Sequence, residues 1–208
     1  MIRNGYWKQW WTTVPKFSVI AVDYEHHVAR NNMLHGIESL ANQTFKDFEL
    51  IICHDGPRQG SYDVEVDFKA LGLDPVIINT PVRMGDWGHS SRDLAMRQAT
   101  GDYFIQFNID NIFYDYAFGI LSNFLDEIEE DIVIFQVRHW KAAGGEVFRG
   151  IPPVHCGIDC MQLVASADIW KEVGYWYRKE ATSDGLIYQA MCDRFPWVEL
   201  PALLGENF

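Results

Sequence analysis

Apolar and polar positions along the chain switch between two periods, and the switches mark the elements. Residues 17–22, FSVIAV, are a short continuous apolar run, which suits a strand buried on both faces. From 25 to 42 the residues Met33, Ile37, Leu40 and Ala41 recur at helical spacing. Residues 49–53 read as a second strand, after a turn bracketed by Phe45 and Phe48. Strand, helix and strand in so short a span predict a βαβ unit with parallel strands. A third strand is predicted at 76–79, a helix at 92–99 with Leu94 and Ala95 inward, and a fourth strand at 103–108.

Past Asn111 the pattern predicts a helix over 114–130, with Ala117, Ile120, Leu121, Phe124 and Ile128 inward. Strands at 131–140 and 159–166, a short helix at 167–173, a helix at 186–193 and a short strand at 198–200 follow. Residues 141–157 contain Gly144, Gly145, Gly150 and Gly157 with Pro152 and Pro153, which predicts a long mobile loop able to close over a ligand. No repeat, low-complexity stretch or linker divides the 208 residues, so one α/β domain is expected.

Charge narrows the partners. The chain has 17 Lys and Arg against 29 Asp and Glu, a net −12, which argues against nucleic acid. A small phosphorylated ligand needs only a few local cations and stays open. No apolar run reaches the ~20 residues of a membrane span. The N-terminal segment lacks an aliphatic core and a small-residue cleavage site, so it is not read as a signal peptide. Its Tyr6, Trp7, Trp10 and Trp11 suit either a membrane interface or, by preference, packing onto the domain. Cys156 and Cys160 lack a metal or redox spacing, and His155 beside Cys156 is a weak zinc pair. A reduced cytoplasmic compartment is expected.

Candidate chemistry collects at predicted strand ends, where open α/β sheets bind ligands. Asp23 and Tyr24 follow the first strand, Asp55 the second, and Asn108-Ile109-Asp110-Asn111 the fourth. One carboxylate flanked by amides suits a cation carrying phosphate oxygens, and equally an Asx-rich turn. The segment 81–91, PVRMGDWGHSS, is Gly-rich and cationic. Ser183 and Asp184 precede a helix, so from position alone Asp184 reads as a helix cap. No GxGxxG follows the first strand, which disfavours a Rossmann dehydrogenase or methyltransferase.

Four segments in order resemble the family 2 glycosyltransferases. They are 17–57, with SLANQTFKDFELIICHDG its most specific part, RMGDWGHSSRDLAMRQATGDYFIQF, NIDN and ATSDGLIYQA. The resemblance implies a GT-A fold, a Rossmann-like three-layer sandwich with a mostly parallel central sheet. It divides the domain into a nucleotide-sugar half, 1–112, and an acceptor half, 113–208. It also implies inverting transfer from a nucleoside diphosphate sugar, most simply UDP-linked, to a glycan or other hydroxyl. Tyr24 and Asp55 would hold the base, with Asp23 beside them, and Arg83 and Arg92 would lie near the diphosphate. Asp110 would be the metal carboxylate for Mn²⁺ or Mg²⁺, with Asn108, Asn111 and His155 as further candidate ligands. Asp184 would be the base, with Asp159 and Glu180 next in line. The family usually has two or three acids in the metal motif and often a late histidine. Here Asp110 stands alone and Glu206 and Asn207 occupy the end, so metal binding is expected to be weak and nucleotide-dependent. A relative that binds nucleotide sugar or glycan without transfer is the alternative.

Overall fold

The computed structural model describes residues 14–23, 30–57, 68–140 and 144–208. Tyr24, the N-terminal aromatics and the first residues of the predicted 25–42 helix lie outside the described residues. The predicted βαβ unit is present as β1 (Phe17–Asp23), α1 (Arg30–Ala41) and β2 (Phe48–His54). β3 (Val76–Asn79), α2 (His89–Met96), β4 (Tyr103–Asn108), β5 (Ile112–Phe113) and α3 (Ala117–Leu125) follow. The second half holds β6 (Ile132–His139), β7 (Glu146–Phe148), β8 (Leu163–Ser166), α4 (Ala167–Val173), α5 (Ser183–Arg194) and β9 (Val198–Asn207).

All seven residues of β1 are buried, because side chains on both faces enter a core. Val19 and Ala21 join α1 and α3 through Met33, Ile37, Phe118 and Leu121. Ile20 faces the other way, toward Ala95 of α2, Trp170 of α4 and Ile187 of α5. The layers are therefore helix, sheet, helix. The expectation of a mostly parallel sheet needs correction: the sheet is mixed. Its order is β3-β2-β1-β4-β8-β6-β9-β5, with β7 on β6. Only the β3-β2-β1-β4 half is all parallel; β8 runs antiparallel to both β4 and β6.

Three further differences bear on the site. α2 starts three residues earlier than its apolar pattern, at His89, because Asp86 takes the Ser90 N–H at 3.1 Å and begins the turn. β9 runs to Asn207 rather than stopping at Pro201. Its pairing with β6 shifts register after Leu200, so Pro201, which has no N–H to give, lies between the paired residues Leu200 and Leu203. Finally, the predicted 141–157 loop contains β7, which forms a hairpin with β6. Buried Gln162 donates to Phe148 O at 2.8 Å, and Arg149 pairs with Glu199, so the far side of the hairpin is also tied down.

Candidate active site

The parallel strands deliver their C-terminal residues to one edge. Asp23 and His54 are register partners, and Asp55 N donates to Asp23 O at 2.8 Å. A cleft of about 260 Å³ opens there. Asp23, Trp87, His89, Arg92, Asn108, Asp110, Asp159, Trp176, Asp184, Asn207 and Phe208 are among the residues lining it. α1 fixes the Asn108–Asn111 turn from below. A side chain at Gly36 would place its Cβ 2.1 Å from Ile109 O and 2.9 Å from Asn111 O, so only glycine lets the helix approach.

Arg92 brings a positive charge to the cleft. It is 3% exposed, donates to the Asn108 amide oxygen, and lies 5.2 Å from the centre of the Trp176 ring. Its Nε and Nη1 have no hydrogen-bond partner among the described residues. A buried guanidinium with unspent donors suits an anion that brings its own oxygens. Four carboxylates, Asp23, Asp110, Asp159 and Asp184, line the same cleft. Asp23 is spent on His54 Nδ1 at 2.9 Å. Asp159 accepts from Met161 N and Asn207 Nδ2, and Glu180 is exposed and bonded to Arg178.

Asp184 differs from them. It stands in the first turn of α5, two residues past Thr182 at the N-cap position. Its carboxylate accepts the Gly185 N–H at 2.9 Å. Burial pushes its pKa up; the Gly185 N–H opposes this, Asp159 adds to it, and Arg92 opposes it. A carboxylate that holds its proton more readily is a better general base. Cys160 also lines the cleft, but burial pushes its thiol to about 12, so it is not a nucleophile.

Beside the cleft lies a second hollow lined by Asp55, Arg83, Gly85, Trp87 and Gly88. Asp55 is buried, and its two oxygens accept Met84 N at 2.8 Å and Gly85 N at 3.0 Å. Trp87 borders both spaces, is 58% exposed and has a left-handed backbone, φ 57°. Such strain in a bulky residue persists where surrounding structure imposes it.

Residues 19–186 match the sequence profile of glycosyl transferase family 2. The chain belongs to that family. Among curated proteins no significant match is found. Solved structures match the fold. S. aureus TarS 1–349 in complex with UDP aligns at TM-score 0.75 and 14% identity, over 92% of this chain and 60% of that one. Its complex with UDP-GlcNAc gives 0.74 and 17%, over 92% and 58%. The mannosyltransferase PcManGT from Pyrobaculum calidifontis, in complex with GDP-Man and Mn²⁺, gives 0.66 and 11%, over 94% and 57%. The chain thus spans about three fifths of the length of these structures.

Of the residues the family 2 pattern singles out, Asp23, Arg92, Asn108, Asp110 and Asp184 meet in the cleft, and Asp55 and Arg83 in the hollow. Asn111 and His155 do not join them. Asn111 is turned into the core, where its amide donates to Met161 Sδ. His155 is exposed and bonded to Thr182 Oγ1. Glu206 is held by Tyr114 and Trp140, while Asn207 lines the cleft. Among the described residues no three acidic, His or Cys groups gather as a metal site. With Asn108 engaged by Arg92, Asp110 remains as the donor the metal motif brings to the cleft. The net-acidic, oxygen-rich lining therefore fits a hard cation that shares its shell with a diphosphate. Sequence reasoning missed His89 and Trp176; an aromatic followed by a helix gave no signal that the two would meet. Among the described residues no helix is long and apolar enough to cross a membrane.

Proposed function

We propose that the chain transfers a sugar from a nucleoside diphosphate sugar, with UDP as the nucleotide, to an acceptor hydroxyl with inversion. One observation carries this reading. The buried Arg92, with donors unspent, and Asp184, with its raised affinity for a proton, line the same cleft. Displacement at an anomeric carbon needs those two functions at opposite ends of the reacting bond. The hollow of Asp55, Arg83 and Trp87 takes the base, and the diphosphate passes over Gly88 toward Arg92. Asp184 accepts the proton of the acceptor hydroxyl as its oxygen attacks, and Arg92 holds the leaving diphosphate. Asp110 would hold a bound Mn²⁺ or Mg²⁺, which supplies further neutralisation of the leaving group. In this division residues 1–112 serve the donor, and 113–208 serve a glycan or other hydroxyl acceptor.

A second reading, nucleotide-sugar binding without transfer, draws on the lone carboxylate of the NIDN turn and on the engagement of Asn108 by Arg92. One experiment separates the two. Purified protein is incubated with UDP-sugars and a panel of hydroxyl acceptors, with and without Mn²⁺. Released UDP and the anomeric configuration of the product are followed by NMR. Transfer with inversion supports the enzyme. Saturable UDP-sugar binding with no release above the Asp184→Asn control supports the binder.

A further inference from the structure

Asp184 faces the cleft from a helical turn whose other members are gripped. Thr182 Oγ1 lies 2.7 Å from His155 Nε2. A Cβ at Gly185 would lie 3.0 Å from Cys156 N and 3.3 Å from His155 Cα, so the chain around 155–156 packs directly on that backbone. Ser183 is fully buried, and Trp176 Nε1 donates to its hydroxyl at 2.9 Å.

Trp176 connects this turn to the donor side. Its Nε1–H is shared with His89 Nδ1 at 3.0 Å, and its ring stacks on His89 at 5.8 Å and 15°. The Ser183 hydroxyl also lies 3.1 Å from the His89 ring nitrogens. Arg92 sits over the same indole. His89 and Arg92 are three residues apart on α2, so they share a helix face and meet one ring. To accept from Trp176, Nδ1 must carry no proton; the bond network thus assigns the neutral ring with its proton on Nε2. Burial, aided by Arg92, pushes His89 down to about 4, which keeps it in that state.

We propose that His89, Trp176 and Ser183 form a positioning device that holds Asp184 toward the cleft and keeps water from its flank. The inference rests on Asp184 being the base, and it adds that α2 orients the base as well as the leaving group. None of the three residues needs to touch substrate. Nothing in the arrangement requires a conformational change.

The test uses Ser183→Ala, which removes one hydroxyl and little volume, with His89→Leu and His89→Asn. Asparagine can return an acceptor near the place of Nδ1. The Asp184 carboxyl is followed by ¹³C NMR titration, assigned by its loss in Asp184→Asn. UDP affinity is measured by calorimetry, and UDP release from UDP-GlcNAc by a coupled assay. Ser183→Ala and His89→Leu are expected to move the Asp184 midpoint down toward an ordinary carboxylate. They should slow UDP release roughly ten-fold or more, as displaced catalytic groups do, and leave UDP affinity unchanged. His89→Asn should restore both midpoint and rate. Lower melting points with the parental midpoint and the parental rate per folded molecule would overturn the proposal. So would a loss of UDP affinity as large as the loss of rate, since the cluster would then act through Arg92. If Asp184→Asn releases UDP at the parental rate, the base reading fails and this inference with it. If Asp184→Asn is slow but Ser183→Ala has parental midpoint and rate, the positioning role alone fails.

Discussion

Asp55 holds Gly85 across the sheet edge: its carboxylate accepts the Gly85 N–H at 3.0 Å and the Met84 N–H at 2.8 Å. The residue after β2 thus anchors the loop after β3, which carries Trp87 at the rim of both spaces. Two acceptor sites of about four on a carboxylate are used, leaving capacity for an N–H of a base. Asp55→Ala should weaken UDP binding by ~1–3 kcal/mol, the cost of an unpaired buried partner. Because the loop loses its anchor too, the melting point should fall with it. Calorimetry that returns the parental UDP affinity would remove Asp55 from the site.

Asn108→Asp should strengthen Mn²⁺ binding to the UDP complex, because a second carboxylate then stands near Asp110. The gain is limited by Arg92, which donates to this side chain and would pair with the new charge. Titration of Mn²⁺ by electron paramagnetic resonance, with and without UDP, measures both. Tight Mn²⁺ binding by the parental protein without nucleotide would show that ligands other than Asp110 and the diphosphate hold the metal.

The first half of the chain was the more legible because its signals are local. FSVIAV and LIIC are short apolar runs, and their βαβ spacing allows one arrangement. β3 and β4 match their patterns residue for residue, and Asp23, Asp55 and Asp110 follow from being at strand ends. The second half depends on long-range pairing. β7 is three residues, β5 is two, and β9 passes through Pro201, so none has a period long enough to read. Trp176 and His89 are separated by 87 positions, and only the fold stacks them. Asn111 looked like its neighbours Asn108 and Asp110; the turn at 108–111 aims it at Met161 instead.

His89 makes stability pH-dependent. Its folded pKa is about 4 against an ordinary 6.5, so between those values the unfolded chain binds more protons. Stability contributed by the neutral ring is present above about pH 6.5 and is lost as pH falls toward about 4. The loss is as much as ~3 kcal/mol for a shift of this size. Asp184 acts in the opposite sense, because its raised pKa favours the fold once it is protonated. Urea titrations of the parent and of His89→Asn across this range should show a steeper decline in the parent. Parallel curves would mean that His89 binds protons equally in the folded and unfolded chain.

Asp184→Asn should separate stability from chemistry. Asparagine keeps an oxygen for the Gly185 N–H, which the carboxylate accepts at 2.9 Å. It carries no charge, and burial is the main reason the Asp184 carboxyl resists ionisation. At neutral pH the variant is therefore relieved of a desolvation cost, and its melting point should equal or exceed the parent's. UDP affinity should survive, because the proposed mechanism gives Asp184 no contact with the base or the diphosphate. Transfer should nonetheless fall by ~10²–10⁴-fold, the usual share of a general base, because an amide cannot take the proton. A site that grows more stable as it loses activity is one whose charge is kept for chemistry. Parental transfer rates in Asp184→Asn would mean that the hydroxyl proton leaves by another route, and the assignment of the cleft would have to be rebuilt from Arg92 outward.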